Sequence, residues 1–221
     1  MTLSCYELSA PLEIADNGIS TLIIENHAFY RNFIEDLLLQ SQNDCSRFVL
    51  ADENDILNLS KDAEILTDIF CLPFDSRTMQ NKVNQLALQE CNLSARDAPG
   101  LLSKINEMAA EIVCSLDFEA GYTPLADLSG VIKLLGFFME AEGLTFPERI
   151  IEYINFLSRY CKKKLFIILN LKCALTAEEY SEFAKLICYK RINVLLVESG
   201  QSENTAENET VRIIDKDLCE I

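Results

Sequence analysis

Two short apolar runs flank an amphipathic segment near the end of the chain, and this arrangement constrains the fold more than any other feature. The runs are "LFIIL" at 165–169 and "INVLLVE" at 192–198. Between them, Thr176 and Glu179 have the spacing of a capping box, which predicts a helix over 176–189. Strands that are apolar on both faces are typical of parallel sheets covered by helices. The sequence therefore predicts an α/β fold with a parallel-rich sheet.

Further strand and helix signals lie at both ends of the chain. "STLIIEN" at 20–26 predicts a strand, and the stripes of "HAFYRNFIEDLLLQ" predict a helix directly after it. "RFVLA" at 47–51 and "TVRIID" at 210–215 predict two more strands. On this pattern His27 ends the first strand.

The segment from 59 to 160 is helical in pattern and contains no convincing strand. Apolar residues recur there at steps of three and four, which predicts helices that pack through these positions. Four of the five prolines, at 73, 99, 124 and 147, mark where helices begin or break. We predict a discontinuous α/β head, 1–58 and 159–221, with an inserted all-helical leg, 59–158. The stripes comprise Leu101, Ile105, Met108, Ile112 and Leu116; Leu125, Leu128, Ile132, Leu135 and Met139; and Ile150, Ile151, Ile154 and Leu157.

The order of strands and helices suggests a P-loop enzyme, but the phosphate-binding residues are missing. No G-x-x-x-x-G-K-[ST] motif occurs, and "ENHAF" follows the first apolar strand where such a loop would lie. Asn170 ends "LFIIL" where a metal-binding acid would be expected. The head therefore has the layout of a nucleotide-binding sheet without the residues that bind phosphates. We expect that it binds no nucleotide.

Cysteine usage excludes a zinc site. The nine cysteines are scattered, no two form C-x-x-C, and His27 is the single histidine. We expect reduced thiols that act as small core hydrophobes, including Cys114 and Cys188 in apolar contexts. No apolar run is long enough to span a bilayer, and the first residues do not resemble a signal peptide. These features predict a cytoplasmic protein.

Charge is distributed unevenly along the chain. The net charge is −16, which argues against a simple nucleic-acid binder. From Arg159 to Arg191, however, there are eight basic residues and three acidic ones. This segment includes the run of three lysines that precedes "LFIIL". On charge alone, these lysines are interpreted as solvated ends of strands and helices.

Four stretches, covering nearly the whole chain in matching order, carry a resemblance to a known family. They are "APLEIADNGISTLIIEN", "SKDAEILTDIFCLPFDSRTMQNKV", "LDFEAGYTPLADLSGVIKLLGFFME" and "KKKLFIILNLKCALTAEEYSEFAKLICYKRINVLLVES". They resemble, in turn, the opening, the entry into the helical arm, the mid-arm helices and the last strand–helix–strand of a CRISPR-associated protein. That family is the small ring-forming, DNA-binding subunit of type II-A systems, which is needed to acquire new spacers.

The resemblance implies both a fold and a mechanism. The family's fold is a head that resembles a degenerate P-loop ATPase, with a long helical leg. Four subunits form a homotetrameric ring through which double-stranded DNA passes from a free end, without base-specific contacts. Calcium ions bound by leg carboxylates stabilise the ring. The family is not known as an enzyme, and it associates with other CRISPR adaptation proteins.

The resemblance also implies a calcium site in the leg. The carboxylates that match are Asp117, Glu119, Glu140 and Glu142, with Asp127 in reserve. Calcium takes six to eight oxygen ligands and prefers several carboxylates. The stretch "EAGY" is less acidic than the family's usual segment there. The alternative interpretation is that these acids are solvated helix ends.

The predicted DNA-binding residues lie in an acidic leg. Residues 59–157 contain seven basic and fifteen acidic residues, so only cations that face the hole would grip phosphates. The three lysines end the last leg helix, where they favour its C-terminus, and they could also touch DNA or a neighbouring subunit. The candidates are Arg77, Lys82, Arg96, Lys104, Lys133, Lys162, Lys163 and Lys164.

Two other classes of function stay open at this stage. One is a protein-interaction scaffold whose apolar arms bind other adaptation proteins and whose acidic body repels DNA. The other is a metal-dependent nuclease or phosphatase that uses the leg carboxylates. No D-x-K, H-x-E or paired-acid motif stands at the end of a predicted strand, which argues against the nuclease.

Overall fold

The computed structural model describes residues 1–42, 47–53, 55–94, 98–207 and 209–221. The chain forms two compact units, which are Met1–Leu72 with Ala141–Ile221 and, separately, Pro73–Glu140. We call them the head unit and the helical unit. The elements, in chain order, are β1 Thr2–Cys5, β2 Leu12–Glu13, β3 Ile19–Ile24, α1 His27–Gln42, β4 Phe48–Asp52, β5 Asp55–Leu57, α2 Leu59–Asp62, β6 Ala63–Leu66, α3 Arg77–Ser94, α4 Ala98–Ser115, α5 Ser129–Leu135, α6 Phe146–Cys161, β7 Leu165–Leu169, a 3₁₀ helix Lys172–Ala174, α7 Ala177–Lys190, β8 Asn193–Glu198 and β9 Thr210–Ile214.

A five-stranded parallel sheet forms the centre of the head unit. Its strand order is β6-β7-β8-β3-β9, and every neighbouring pair is parallel. The three strands β3, β7 and β8 are buried along almost their whole length, as their apolar sequences predict. The predicted α/β fold with a parallel-rich sheet is confirmed.

Helices cover both faces of this sheet. Phe33 and Leu37 of α1 belong to one core cluster with Leu22 of β3, Ile167 of β7 and Leu195 of β8. Successive side chains of a strand point to opposite faces, so the alternate residues of the same strands face the other side. The helix α7 contacts β3 and packs on α6, and the predicted capping box of Thr176 and Glu179 begins α7.

A second, antiparallel sheet completes the head unit. Its strand order is β2-β1-β4-β5. The predicted strand "RFVLA" is present as β4, but it pairs antiparallel with β1 and does not join the parallel sheet. Alternation explains this placement: Phe48 and Leu50 are buried whereas Val49 between them is exposed, as in a sheet with one solvated face.

The structure differs from the sequence-based expectations at three points. Residues 59–160 do contain a strand, β6, which pairs with β7 at the edge of the parallel sheet. It escaped detection because it has four residues and Glu64 interrupts its apolar pattern. His27 begins α1 and does not end a strand. The helical unit, 73–140, is also shorter than the predicted leg, since β6 and α6 lie in the head unit.

The helical unit contains α3, α4 and the short helix α5. The pattern of 125–139 predicts a longer helix than the seven residues observed. Asp127 accepts a hydrogen bond from the Ser129 main-chain N–H where α5 begins, and Gly136, at φ +66°, ends it. Asn106 of α4 holds the preceding segment through two hydrogen bonds with the Leu125 main chain. No helix in the described part of the chain is long and apolar enough to cross a membrane.

Candidate nucleic-acid interface and metal-binding residues

The predicted DNA-binding residues of the leg lie on three helices of the helical unit. Arg77 begins α3, Lys104 lies on α4 and Lys133 on α5, and all three side chains are exposed. Lys82 of α3 is half-buried and donates to Gln85 Oε1 at 3.0 Å. Arg96 lies outside the described residues. Phosphate groups of DNA could therefore reach the exposed cations from solvent, but these cations lie on separate helices.

The three consecutive lysines terminate α6 and lead into β7. Lys162 adopts the left-handed conformation, at φ +61°, and its main-chain N–H donates to the Leu157 carbonyl. The Lys164 main-chain N–H donates to the Asp62 carbonyl at 2.7 Å. The side chains of Lys162 and Lys164 are exposed. Their backbones therefore close the helix while their ammonium groups remain in solvent.

Lys163, between them, is engaged by the protein itself. Its Nζ donates to the carbonyls of Ser60, at 3.1 Å, and Ala63, at 2.5 Å. The same ammonium lies 3.2 Å from Glu64 Oε2. Since these partners belong to α2 and β6, Lys163 ties the edge strand of the parallel sheet to the start of β7. The structure gives this lysine a structural role.

Two asparagine side chains, Asn26 and Asn170, form hydrogen bonds at the carboxyl edge of the parallel sheet. Asn26 caps α1 by accepting from the Phe29 main-chain N–H at 3.0 Å. Asn170, at the end of β7, accepts from the Ser199 N–H and hydroxyl, each at 2.9 Å, and donates to the Tyr30 hydroxyl. Burial raises the pKa of that Tyr30 hydroxyl. Asn26 and Asn170, which stand in place of a phosphate loop and a metal-binding acid, are thus each hydrogen-bonded to other protein groups.

A buried charge network lies next to this edge. Lys172 and Glu209 form an ion pair, and the Lys172 main-chain N–H donates to Glu198 Oε1 at 3.0 Å. Burial raises the pKa of the Glu198 carboxyl, and the hydrogen bond from Lys172 partly opposes that shift. Sequence reasoning missed this network because its members belong to no recognisable motif and are far apart along the chain.

The predicted calcium ligands are solvent-exposed carboxylates. Asp117, Glu119 and Glu140 belong to the helical unit, Glu142 belongs to the head unit, and all four side chains are exposed. The reserve residue, Asp127, is also exposed, and its hydrogen bonds to Ser129 lower the pKa of its carboxyl. Within the described ranges, no three His, Cys, Asp or Glu side chains form a group that could hold a metal ion. The calcium site therefore stays a prediction.

The helical unit exposes an unusual amount of apolar surface. Met108 is 56% exposed, and Leu134 is 87% exposed. The stripe predicted to pack along α4 is largely open to solvent, and a second exposed group surrounds the end of α5. These exposed residues are Leu101, Met108, Ile112, Leu116 and Phe118, and Leu134, Leu135, Phe137 and Phe138.

The described cysteines differ from the predicted core thiols. None of the eight described cysteines is fully buried, although Cys5 is partly buried. Cys114 and Cys188 are exposed, so the prediction of core thiols is wrong for these two. Their apolar neighbours along the sequence lie on other faces of the same helices. The ninth, Cys45, lies outside the described residues.

Comparisons with known proteins place most of the chain in one family. The family model for CRISPR-associated protein (Cas_Csn2) matches residues 40–218. No curated protein matches the sequence. A solved structure of a nucleotide-free ATP-binding cassette from an ABC transporter is 10% identical, with 95% of this chain and 82% of that chain covered and a TM-score of 0.45. Another, of the ADP conformation of an ATP-binding cassette, is 8% identical, with 87% and 74% covered and a TM-score of 0.40.

Proposed function

The chain belongs to the Cas_Csn2 family of CRISPR-associated proteins, and on that premise we propose that it acts in spacer acquisition as a ring around DNA ends. The ring is a homotetramer, binds double-stranded DNA without sequence preference and performs no chemistry itself. It works in the cytoplasm with other CRISPR adaptation proteins.

The exposed apolar surface of the helical unit supports the proposed assembly into a homotetramer. Contiguous apolar patches are rare on monomers and mark surfaces that another protein covers. On α4, Leu101, Met108 and Ile112 recur at the spacing of one helix face, which is the pattern by which helices pack on one another. Contact between copies of this face would bury side chains that the single chain leaves in water.

The exposed cations support the DNA part of the proposal. Arg77, Lys104 and Lys133 are free of ion pairs among the described residues, and each presents its charge to solvent. Cations of this kind bind phosphates without reading bases, which suits a ring that must accept any sequence. Because the chain is strongly acidic overall, we expect weak binding that falls steeply with salt.

We propose that calcium binds where carboxylates of more than one chain meet. Within the described ranges Asp117, Glu119 and Glu140 form no group that could hold a metal ion, which supports a site with several protein oxygens that is completed on assembly. When bound, calcium supplies positive charge that offsets the acidic surface of the helical unit. Replacing Glu119 and Glu140 with Gln should abolish any rise in melting temperature that calcium causes, whereas equal melting in calcium and in chelator would refute the assignment.

The absence of enzymatic activity is proposed from the carboxyl edge of the parallel sheet. Asn170 and Asn26 stand where a metal-binding acid and a phosphate-binding loop would be needed, and both bond to other protein groups. We expect no ATP binding, no ATP hydrolysis and no cleavage of DNA. Divalent-dependent degradation of any duplex would favour a nuclease instead.

One experiment tests the ring directly. The mass of the full chain in solution is measured with calcium and with chelator, and binding is then compared on a linear duplex and the same duplex closed into a circle. A tetramer that binds linear DNA far better than circular DNA supports threading. Equal binding to both forms would rule it out, and a tetramer that binds neither would favour a protein scaffold.

A further inference from the structure

Four exposed cations lie along the amino edge of the parallel sheet. Lys61 precedes β6, Lys162 and Lys164 precede β7, and Arg191 precedes β8. All four side chains are solvent-exposed. We call them the amino-edge cluster. Two of them, Lys61 and Arg191, stand in no motif of the sequence.

Strand order places these residues side by side. Leu165 of β7 pairs with Ala63 of β6 on one side and with Asn193 of β8 on the other. The residues that immediately precede the starts of β6, β7 and β8 must therefore be neighbours. Asn193 Nδ2 donates to the Lys164 carbonyl at 3.1 Å, which fixes the turns before β7 and β8 against each other.

Neighbouring acids do not neutralise the amino-edge cluster. Glu64 pairs with Lys163, and Glu152 pairs with Lys190 at 3.1 Å. Asp62 keeps its charge but is held by the Asn58 main-chain N–H at 2.8 Å and forms no ion pair with a described residue. No member of the cluster makes an ion pair with any described residue. Two acids, Asp16 and Glu207, occupy the other half of the same edge, where they precede β3 and β9.

Two members of the cluster stand where glycine would be the easier residue. Lys162 ends α6 at φ +61°, and Arg191 ends α7 at φ +56°. Glycine adopts this left-handed conformation without the steric penalty that a β-carbon brings. Both positions instead carry a cation, which favours the helix C-terminus and also projects charge into solvent. Strained positions with exposed charges are candidates for function.

We propose that the amino-edge cluster contacts the phosphate backbone of double-stranded DNA, which adds a contact surface on the head unit and rests on the DNA binding proposed above. Adjacent strands lie about 4.8 Å apart, so the row across three strands spans about 10 Å. Phosphates follow one DNA strand at about 3.4 Å of rise each, and the row covers about three such steps. Ammonium groups bind phosphates as point charges, and the guanidinium of Arg191 matches them in a fork.

The test replaces both left-handed cations with the residue that their backbone favours. The variant Lys162→Gly/Arg191→Gly loses two charges and relieves strain, so its melting temperature should equal or exceed that of the wild type. The matched control, Arg31→Ala/Lys216→Ala, removes two exposed cations that follow β3 and β9 at the opposite edge. Affinity of the full chain for a short linear duplex is measured for all three proteins across a range of salt.

Loss of two phosphate contacts should flatten the salt dependence. Between about 50 and 200 mM salt, the wild type and the control should lose about tenfold more affinity than the glycine variant. If the variant melts lower, Lys61→Ala/Lys164→Ala, which leaves both left-handed positions unchanged, provides the same comparison. If the wild type binds DNA and neither cluster variant changes the dependence of affinity on salt, the inference is overturned. The proposed function would still stand.

Two other outcomes would also overturn it. If the wild type binds no duplex at all, the proposed function fails, and the inference fails with it. If polyglutamate displaces the duplex as well as unlabelled DNA does, and loses affinity in the cluster variant, the surface binds acidic peptides. Displacement by duplex alone supports recognition of phosphates.

Discussion

Lys172 and Glu209 form an ion pair of 2.6 Å in which neither side chain is more than 3% exposed. Lys172 Nζ also donates to the Asn204 carbonyl at 2.8 Å and lies 4.9 Å from the centre of the Tyr180 ring. The Thr21 hydroxyl of β3 donates to the same Glu209 carboxylate. This network ties the segment before β9 to the face of the parallel sheet that α7 covers.

We predict that Lys172→Met strongly destabilises the head unit. The substitution leaves the Glu209 carboxylate buried without a cation, which costs about 3–5 kcal/mol. Urea denaturation of the full chain measures the change in the free energy of unfolding.

Two further variants show whether the cost comes from burial. Lys172→Met/Glu209→Gln removes both charges and should recover a large part of the lost stability. Lys190→Met breaks the partly exposed pair with Glu152 and should cost at most about 1 kcal/mol. Equal losses for Lys172→Met and Lys190→Met would contradict the interpretation.

We predict that Glu198→Gln stabilises the protein near neutral pH. Burial raises the pKa of the Glu198 carboxyl, so the folded state holds its proton more tightly than the unfolded state does. Stability from this group is therefore present at low pH and is lost as the pH rises from the unfolded value of 4.5 through the folded one. Glutamine keeps an acceptor for the Lys172 N–H and carries no charge.

Thermal unfolding over a range of pH tests this prediction. The melting temperature of Glu198→Gln should exceed that of the wild type at pH 7, and the difference should shrink below the ordinary carboxyl pKa. The exposed Glu178→Gln on α7 is the matched control and should show no such pattern. A variant that is less stable than the wild type at pH 7 would mean that the charged carboxylate is needed.

We predict that Cys5 resists alkylation while the exposed cysteines react. Burial raises the pKa of the Cys5 thiol to about 11, and only the thiolate is nucleophilic. At pH 8, about one part in a thousand of this thiol is ionised. Iodoacetamide labelling followed by peptide mass spectrometry should modify Cys71, Cys173 and Cys219 well before Cys5. Labelling of Cys5 at a rate similar to theirs would contradict the burial.

We predict that charges on the exposed face of α4 disrupt assembly. Met108→Glu/Ile112→Glu places two carboxylates where copies of the chain would meet, and the desolvation cost should reduce the mass in solution to that of a single chain. Circular dichroism should remain that of the wild type, because both side chains are exposed in the single chain. Ile56→Glu, at an apolar position of the head unit that is 80% exposed, is the control and should leave the mass unchanged.

Local sequence patterns determined the fold class of the head, its buried parallel strands and its long helices. The apolar runs of β3, β7 and β8, the stripes of α1 and α6, and the capping box of α7 all depend on residues a few positions apart. Such short-range signals can be read directly. The family resemblance likewise follows from the order of these segments, and the family match over 40–218 bears it out.

Tertiary structure decided which charged residues meet. Lys163 is a structural residue because strand order brings β6 beside β7, although its neighbours Lys162 and Lys164 look the same in sequence. The calcium candidates Asp117 and Glu140 are exposed, and within the described ranges no three candidate ligands form a group that could hold a metal ion, so this site stays a prediction. Arg191 joins Lys164 at one edge only through the pairing of β7 with β8. Contacts between distant residues depend on strand order and crossover connections, and a local pattern contains neither.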